Sequence, residues 1–439
     1  MSNVSSNPTA DSLEHTLQQS KQAFLGMATL STEQKNQALL AFAEIIETNA
    51  DFLLTENKKD IAQAETDGLT ASLYQRLKLD SDKIAQLVQG IRDLVKLPDP
   101  AGQILSATKL DEGLILQKET VPLGVIGIIF ESRPDVIPQI LSLILKSGNA
   151  VVLKGGRETI FSNHAFMTLV GQLNERCPWL PAAWATLLDS REAVQEMLNY
   201  PQYVDLIIPR GSNQLVQSIM ASTKIPVLGH ADGVCHLYVH SSANVEQAIS
   251  LAIDAKAQYP AACNALETLL VDEAIATEFL PRFAEAAIQT GLTLRGCEQT
   301  QALLPTVEIA TEEDWRTEYG DLTLAVKVVP SQEAAMDHIN QYGSHHTDAI
   351  LATEPAALER FLNGVDSACV FANASTRFAD GFRFGLGAEI GISTAKTHAR
   401  GPVGLEGLVI YKYKLRGQGH RVSDYVGQNA KPFLHEPIH

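Results

Sequence analysis

A chain of 439 residues is too long for a single hydrophobic core, so two or more packed domains are expected. Apolar residues make up 45% and charged residues 19%, and no apolar run approaches the ~18 residues of a membrane span, so a membrane protein is not expected. The formal net charge of −17 disfavours nucleic acid, which needs a basic surface, while a local cluster of donors could still hold a small anion.

The opening residues are polar and lack the basic and apolar regions of a secretory signal, so export is not expected. From Ser12 to about Val95 apolar residues recur at helical spacing, until Pro98 and Pro100 end the pattern. The stretch "GLILQKETVPLGVIGIIF" (113–130) then reads as strand, first alternating and afterwards continuously apolar, as for an exposed ribbon leading into a buried parallel strand. A rhythm of strand and helix follows. "PDVIPQILSLILKSG" is a helix closed by Gly148, "NAVVLKGG" a strand, "SNHAFMTLVGQL" a helix capped by Ser162, "VDLIIPRGS" a strand and "NQLVQSIMA" a helix. A second series starts near residue 234 with "CHLYVH" and continues through "LETLLV", "LTLAVKVV" and "DAILAT", each separated by a helical pattern. Strand alternating with helix predicts α/β domains built on parallel sheets. The glycine-rich segment 376–407 reads as a long functional loop, followed by the strand "LVIYKYKL" and a polar tail.

Cys177, Cys235, Cys263, Cys297 and Cys369 are scattered, odd in number and free of metal-ligand spacing, which fits a reducing cytoplasm. Cys263 differs from the rest because it sits among small residues in "YPAACNALETLLV", at a bend before an apolar strand. A thiol in that setting is either an accessible nucleophile or an ordinary buried small hydrophobe, and the local sequence leaves both open. In "NAVVLKGGRET" and "VDLIIPRGSNQ" a strand runs into a glycine turn and a helix, an arrangement that lets backbone N–H groups approach phosphate, and Lys154 adds a charge. No G-x-G-x-x-G fingerprint is present. "FESRPDV" places Ser132 and Arg133 after a buried strand, where ligands of open sheets bind, although a cap and a surface charge fit equally. Arg377 and Arg383 lie among small polar residues, and guanidinium groups suit carboxylate or phosphate. The adjacent histidines of "GSHHTDA" have no further ligand at metal spacing, so no metal site is expected.

Taken in order, "VPLGVIGIIFESRPDV", "SGNAVVLKGGRE", "LIIPRGS", "YPAACNALETLLV", "FANASTRFADGFRFGLGAEIGISTAKTHARGP" and "GLEGL" resemble the aldehyde dehydrogenase superfamily. The resemblance is greatest to those members that reduce the acyl phosphate γ-glutamyl 5-phosphate to glutamate 5-semialdehyde. It implies two Rossmann-like α/β domains and a small β oligomerisation flap. The nucleotide-binding domain would comprise 1–105 and 122–233, the catalytic domain 234–404, the oligomerisation strands 106–121 and 405–416, and the tail 417–439. It further implies Cys263 as the catalytic thiol, with Arg133, Ser132 and Asn264 as candidates for holding oxyanion or phosphate. Lys154, Gly155, Gly156, Arg157, Gly211, Ser212 and Glu318 would bind the cofactor, and Asn373, Ser375 and Arg377 the glutamyl head group. The implied cofactor is NADPH; the residues themselves support a nucleotide without choosing it over NADH, since Lys154 and Arg157 suit a 2′-phosphate or solvent equally. A homo-oligomer is implied, and glutamate 5-kinase is a candidate partner.

Two positions depart from the hydrolytic members of that superfamily. "HADG" puts His230 where those enzymes carry the glutamate that activates water, and "ESRP" puts Arg133 at or near their oxyanion-binding asparagine. An enzyme that keeps its thioester from water should lack that base. The alternatives are a non-phosphorylating aldehyde dehydrogenase and a non-catalytic scaffold for the kinase.

Overall fold

The computed structural model describes residues 10–68, 74, 76–131, 133–230 and 232–438. The chain divides into two compact units, one formed by 1–211, 218–227 and 404–439, the other by 212–217 and 228–403.

The first unit opens with helices Ala10–Met27, Thr32–Thr48, Ala50–Thr66 and Ser81–Lys96. Ser31 starts the second with a reciprocal capping box: its hydroxyl accepts from Gln34 N–H, and the Gln34 side chain accepts from Ser31 N–H. The unit carries two sheets. The antiparallel one is formed by β1 (Ile104–Asp111), β2 (Leu114–Pro122), β16 (Val409–Arg416) and β17 (Glu436–Ile438), in the order β16-β2-β1-β17. The polar tail therefore does not end the fold, because its last residues pair with β1. The parallel sheet is formed by β3 (Val125–Phe130), β4 (Ala150–Lys154), β5 (Ala185–Leu187) and β6 (Leu206–Arg210), ordered β5-β4-β3-β6. All six residues of β3 are buried, as a continuous apolar run at the centre of a parallel sheet requires. The helix Val136–Ser147 stops at Gly148, whose φ of 76° is the left-handed conformation that favours glycine.

One expected cap is placed differently. The helix beginning at Ile160 already includes Ser162, which is fully buried. Asp60, from a distant helix, accepts from Phe161 N–H and from both N–H and hydroxyl of Ser162, so the orphan donors of this helix end are satisfied through tertiary contact. Burial raises the Asp60 pKa against the pull of those hydrogen bonds.

The second unit is built on one parallel sheet of β7 (Cys235–Val239), β8 (Leu266–Asp272), β9 (Thr293–Gly296), β10 (Glu308–Ile309), β11 (Thr323–Val329), β12 (Thr347–Leu351) and β13 (Cys369–Ala372), ordered β10-β9-β11-β8-β7-β12-β13. Helices Val245–Ala257 and Glu273–Gln289 cover one face, where Phe279 and Phe283 pack on Leu237, Leu269 and Val326 in a fully buried cluster. Helices Gln332–Tyr342 and Pro355–Gly364 cover the other, through Ile339 and Phe361 against Tyr238 and Leu270. A ribbon of β14 (Gly391–Ser393) and β15 (Gly401–Val403) forms the only paired part of the glycine-rich segment among the described residues. No described helix is long and apolar enough to cross a membrane.

Candidate active site

Because every strand of the larger sheet runs the same way, the segments entering the strands meet at one edge. Gly233 lies just before β7, Cys263 just before β8 and His346 just before β12, and these three strands are neighbours in the order β8-β7-β12. The candidate site is therefore at the N-terminal edge of this sheet, opposite to the edge where ligands of open α/β sheets usually bind.

Cys263 is carried by residues 258–265, between the helix Val245–Ala257 and β8. Two tight hydrogen bonds fold this segment, Ala262 N–H to Tyr259 O and Ala265 N–H to Ala262 O. Its ends are pinned by Lys256 and Glu267, both fully buried and joined at 2.5 Å, with Gly320 N–H donating to the second carboxylate oxygen. Burial pushes the Glu267 carboxyl above its usual range, and Lys256 opposes that. A lone glutamate in the apolar strand "LETLLV" was the available sequence signal for a buried partner. From beneath, the Cys235 thiol donates to Cys263 O at 3.3 Å. Gly233 approaches so closely that a Cβ there would stand 2.1 Å from Cys263 O.

The Cys263 thiol is half-buried, whereas Cys177, Cys235 and Cys369 are buried; Cys297 is also half-buried, and its sulfur accepts from Val328 N–H. Burial, reinforced by Glu318 and Glu389, pushes the Cys263 pKa up to about 12, and Arg377 acts in the opposite sense. The resting group is thus a neutral thiol, and a ligand that brings positive charge or displaces the field of the carboxylates favours the thiolate. Glu389 accepts from Gly381 N–H within the glycine-rich segment. Sequence reasoning passed over Glu389 and Gly233, although both stand in stretches quoted for the resemblance or its departures.

Of the other expected residues, Glu318 accepts from Asn213 and from Gly233 N–H through one oxygen, tying the site's close-approach glycine to the 212–217 segment. Asn264 is buried and donates to Ala379 O, so its side chain fastens the bend to the loop. Arg377 is also buried; Gln258 accepts from its Nε, the Tyr259 ring lies 5.8 Å from its Cζ, and Arg383 donates to its carbonyl. Ser375 is buried and accepts from Arg377 N–H, which fixes the turn carrying the guanidinium. Asn373, expected to meet the glutamyl head group, bonds both backbone groups of Ala352 through its amide, extending the β12–β13 pairing, and its φ of 53° marks the end of that strand.

His230 and His346 join Cys263, one ring nitrogen of each and the sulfur lying within 4.8 Å of one another. Their rings meet edge to face, with centroids 4.9 Å apart. His230 Nδ1 donates to Ile392 O at 3.0 Å. Burial, helped by His230, drives the His346 pKa down to about 3, so this ring is neutral. Chain spacing had argued against any such grouping; folding supplies it from three separate strand entries.

In the first unit the C-terminal ends of β3, β4 and β6 collect the other candidates. Lys154 is buried, and its ammonium donates to Gly155 O. Burial lowers its pKa, with Glu158 opposing. Gly155 allows close packing, since a Cβ would meet Asn163 Nδ2 at 2.2 Å and Phe130 at 3.0 Å. Gly156 precedes the exposed Arg157, in a short 3-10 turn that leads into the helix Ile160–Arg176. Arg133 is exposed in the turn before Val136–Ser147, and Ser132 lies outside the described residues. Gly211, just after β6, and Ser212, which belongs to the second unit, are exposed and immediately precede the helix Asn213–Ser222.

Residues 3–309 match the family model described as the aldehyde dehydrogenase family. The chain belongs to the aldehyde dehydrogenase family. Within it, the chain is 53% identical over 424 residues to gamma-glutamyl phosphate reductase of Synechococcus elongatus, covering 96% of this chain and 98% of the relative. It is 51% identical over 429 residues to gamma-glutamyl phosphate reductase 1 of a Synechocystis species, covering 98% and 99%. Among solved structures, gamma-glutamyl phosphate reductase of Thermotoga maritima superposes with a TM-score of 0.91 at 38% identity, over 93% of this chain and 99% of that one. The α/β domains on parallel sheets read from the strand and helix rhythm, and the aldehyde dehydrogenase-like fold implied by the resemblance, are thus the fold observed.

Proposed function

We propose that this chain reduces γ-glutamyl 5-phosphate to glutamate 5-semialdehyde and phosphate with NADPH, through a thioester on Cys263. The observation that carries the reading is a half-buried thiol on a doubly pinned bend, within the field of Arg377, in a chain over half identical to gamma-glutamyl phosphate reductases along nearly its whole length.

The Cys263 thiolate adds to the acyl carbon of the substrate; a C–S bond forms, the C–O bond to phosphate breaks, and phosphate leaves with its bonding electrons. Backbone N–H groups of the 258–265 bend are the proposed oxyanion donors, with Asn264 holding the bend in place rather than donating from its side chain. NADPH, when bound, would supply the hydride that reduces the thioester carbon. Collapse of the resulting hemithioacetal releases the aldehyde and restores the sulfur. Arg377, its plane fixed by Gln258, is the proposed partner of a substrate anion, and Ser375 keeps its turn in shape. Arg133 is a second proposed anion-holding group. His230, standing where hydrolytic relatives carry a water-activating glutamate, supports transfer to hydride over transfer to water.

The nucleotide reading fits the donor set of the first unit: Lys154 and Arg157 supply positive charge around consecutive glycines at a parallel sheet edge, ahead of a helix. Those cations support NADPH, whose 2′-phosphate they would pair. Glu318 would receive ribose hydroxyls, since a carboxylate can accept about four hydrogen bonds, and Gly211 and Ser212 would flank the nicotinamide. A second copy of the chain is the proposed neighbour of the antiparallel sheet, supported by the exposed Tyr411, Tyr413 and Leu415 of β16. A cytoplasmic setting and glutamate 5-kinase as supplier of the acyl phosphate complete the proposal.

The test is NADP⁺ reduction by glutamate 5-semialdehyde with and without inorganic phosphate, beside Cys263→Ala. Turnover should require phosphate and vanish in the variant while nucleotide binding persists. Aldehyde oxidation at full rate without phosphate would assign a non-phosphorylating enzyme instead.

A further inference from the structure

Neither histidine beside Cys263 gives or takes a proton in the reaction as derived, and the hydrogen bonds they make leave a second use for the pair. His346 is fully buried, and its Nε2 has no hydrogen-bond partner, while Nδ1 is engaged by Thr347 Oγ1 at 2.9 Å. A buried polar atom without a partner costs about 1–3 kcal/mol, so it is expected to have an occupant in some state of the protein. His230 presents the complementary pattern. Ile392 O can only accept, so the proton of His230 is on Nδ1 and the lone pair on Nε2. A backbone carbonyl holding one ring N–H and leaving the other nitrogen as a lone pair is the outer-shell arrangement that orients metal-binding histidines.

We propose that Nε2 of His230, Nε2 of His346 and Sγ of Cys263 form a three-ligand site for a soft divalent transition ion, Zn²⁺ above all, that reversibly blocks the thiol. Two imidazoles and one thiolate form a donor set suited to zinc, and the fourth tetrahedral position stays open to water. With bond lengths of about 2.0 to 2.3 Å, tetrahedral ligand atoms stand about 3.3 to 3.8 Å apart. One ring nitrogen of each histidine and the sulfur already lie within 4.8 Å of one another, so tetrahedral spacing needs about 1 Å of closure, within reach of side-chain torsions on fixed strand entries. Binding forms the S–Zn bond and releases one proton from the thiol to solvent, and no oxidant or reductant is involved. The ion then occupies the sulfur lone pair needed for any attack on carbonyl carbon, so metal and acyl substrate exclude each other.

The inference does not depend on which acyl substrate is correct, because binding is read from a spectrum. Purified full-length protein, freed of metal by chelator, is titrated with Co²⁺ as the spectroscopic probe and then with Zn²⁺ in competition. One equivalent of Co²⁺ should produce a thiolate charge-transfer band in the near ultraviolet and intense tetrahedral visible bands, both erased by Zn²⁺. Cys263→Ala should lose the charge-transfer band. His346→Gln should weaken binding by about tenfold or more, as loss of a ligand or its support does. Because His346 is buried, His230→Gln, at a half-buried position, serves as the second variant and should show the same loss. Zn²⁺ should also protect Cys263 from alkylation by iodoacetamide, with EDTA restoring reactivity. Absence of a charge-transfer band in the parent protein, or an unchanged band and affinity in Cys263→Ala or in both histidine variants, overturns the proposal.

Discussion

Gly233→Ala isolates how far the reaction depends on the placement of one backbone segment. Gly233 is not in the left-handed region, so alanine is compatible with its backbone and only the new methyl carbon objects. That carbon would stand 2.1 Å from Cys263 O and 2.7 Å from both Cys263 C and Cα, all backbone atoms that no rotamer change can move aside. Ordinary contact begins at 3.4 Å, so the Cys263 backbone must retreat by about 1 Å. A displacement of that size at a reacting group costs on the order of 10²-fold in rate, equivalent to about 2.7 kcal/mol of barrier. Initial rates under saturating substrates should show the fall in kcat, while the nucleotide KM stays close to the parent value. Gly171→Ala is the control: this glycine is exposed within the helix Ile160–Arg176, with no atom within 4 Å of its would-be Cβ. It should raise stability by about 0.5–1 kcal/mol and leave rates alone. A Gly233→Ala enzyme with kcat within about twofold of the parent would refute the argument that the close approach fixes the thiol.

Three further outcomes follow from other contacts. Arg377→Lys removes the planar fork held by Gln258 and should raise KM for the acyl phosphate more than KM for NADPH; the reverse pattern in steady-state kinetics contradicts its role as anion partner. Lys256→Met leaves Glu267 buried without its cation and should cost about 3–5 kcal/mol in denaturant unfolding, with loss of activity because the bend is released; an unchanged midpoint contradicts the pinning argument. Asp314 is buried, which by itself would raise its pKa, but hydrogen bonds from Tyr319, Thr311 and Arg295 outweigh that and depress it. Its folded pKa lies below the unfolded value, so its contribution is complete above the usual carboxylate range and is lost as pH falls beneath about 3.8. Thermal unfolding of Asp314→Asn should therefore show lower stability at neutral pH and a shallower acid loss than the parent, and parallel pH curves would exclude the effect.

Much of the molecule was legible in the chain itself. The unbroken apolar run of β3, the alternation of strands and helices and the glycine at 148 follow from local sterics, since periodicity and a positive φ are properties of a few consecutive residues. Cys263 stood out for the same reason, as a thiol in a bend of small residues. Caps and strand ends were less secure. Ser162 looks like a cap in sequence, but Asp60 reaches its helix end from about a hundred residues away, and residues 436–438 become strand only because β1 offers an open edge.

What the sequence could not determine is which side chains face the sulfur. Gly233, Cys263, Glu318 and His346 span more than a hundred positions, and their meeting depends on β7 lying between β8 and β12, an order different from that of the chain. Strand order is decided by long-range hydrogen bonding and by the burial of both sheet faces, terms that no short window of residues contains. The chain thus singled out the candidate thiol, while the parallel sheet chose its neighbours: the carboxylates that keep it protonated, the glycine that approaches its backbone and the two histidines that stand beside it.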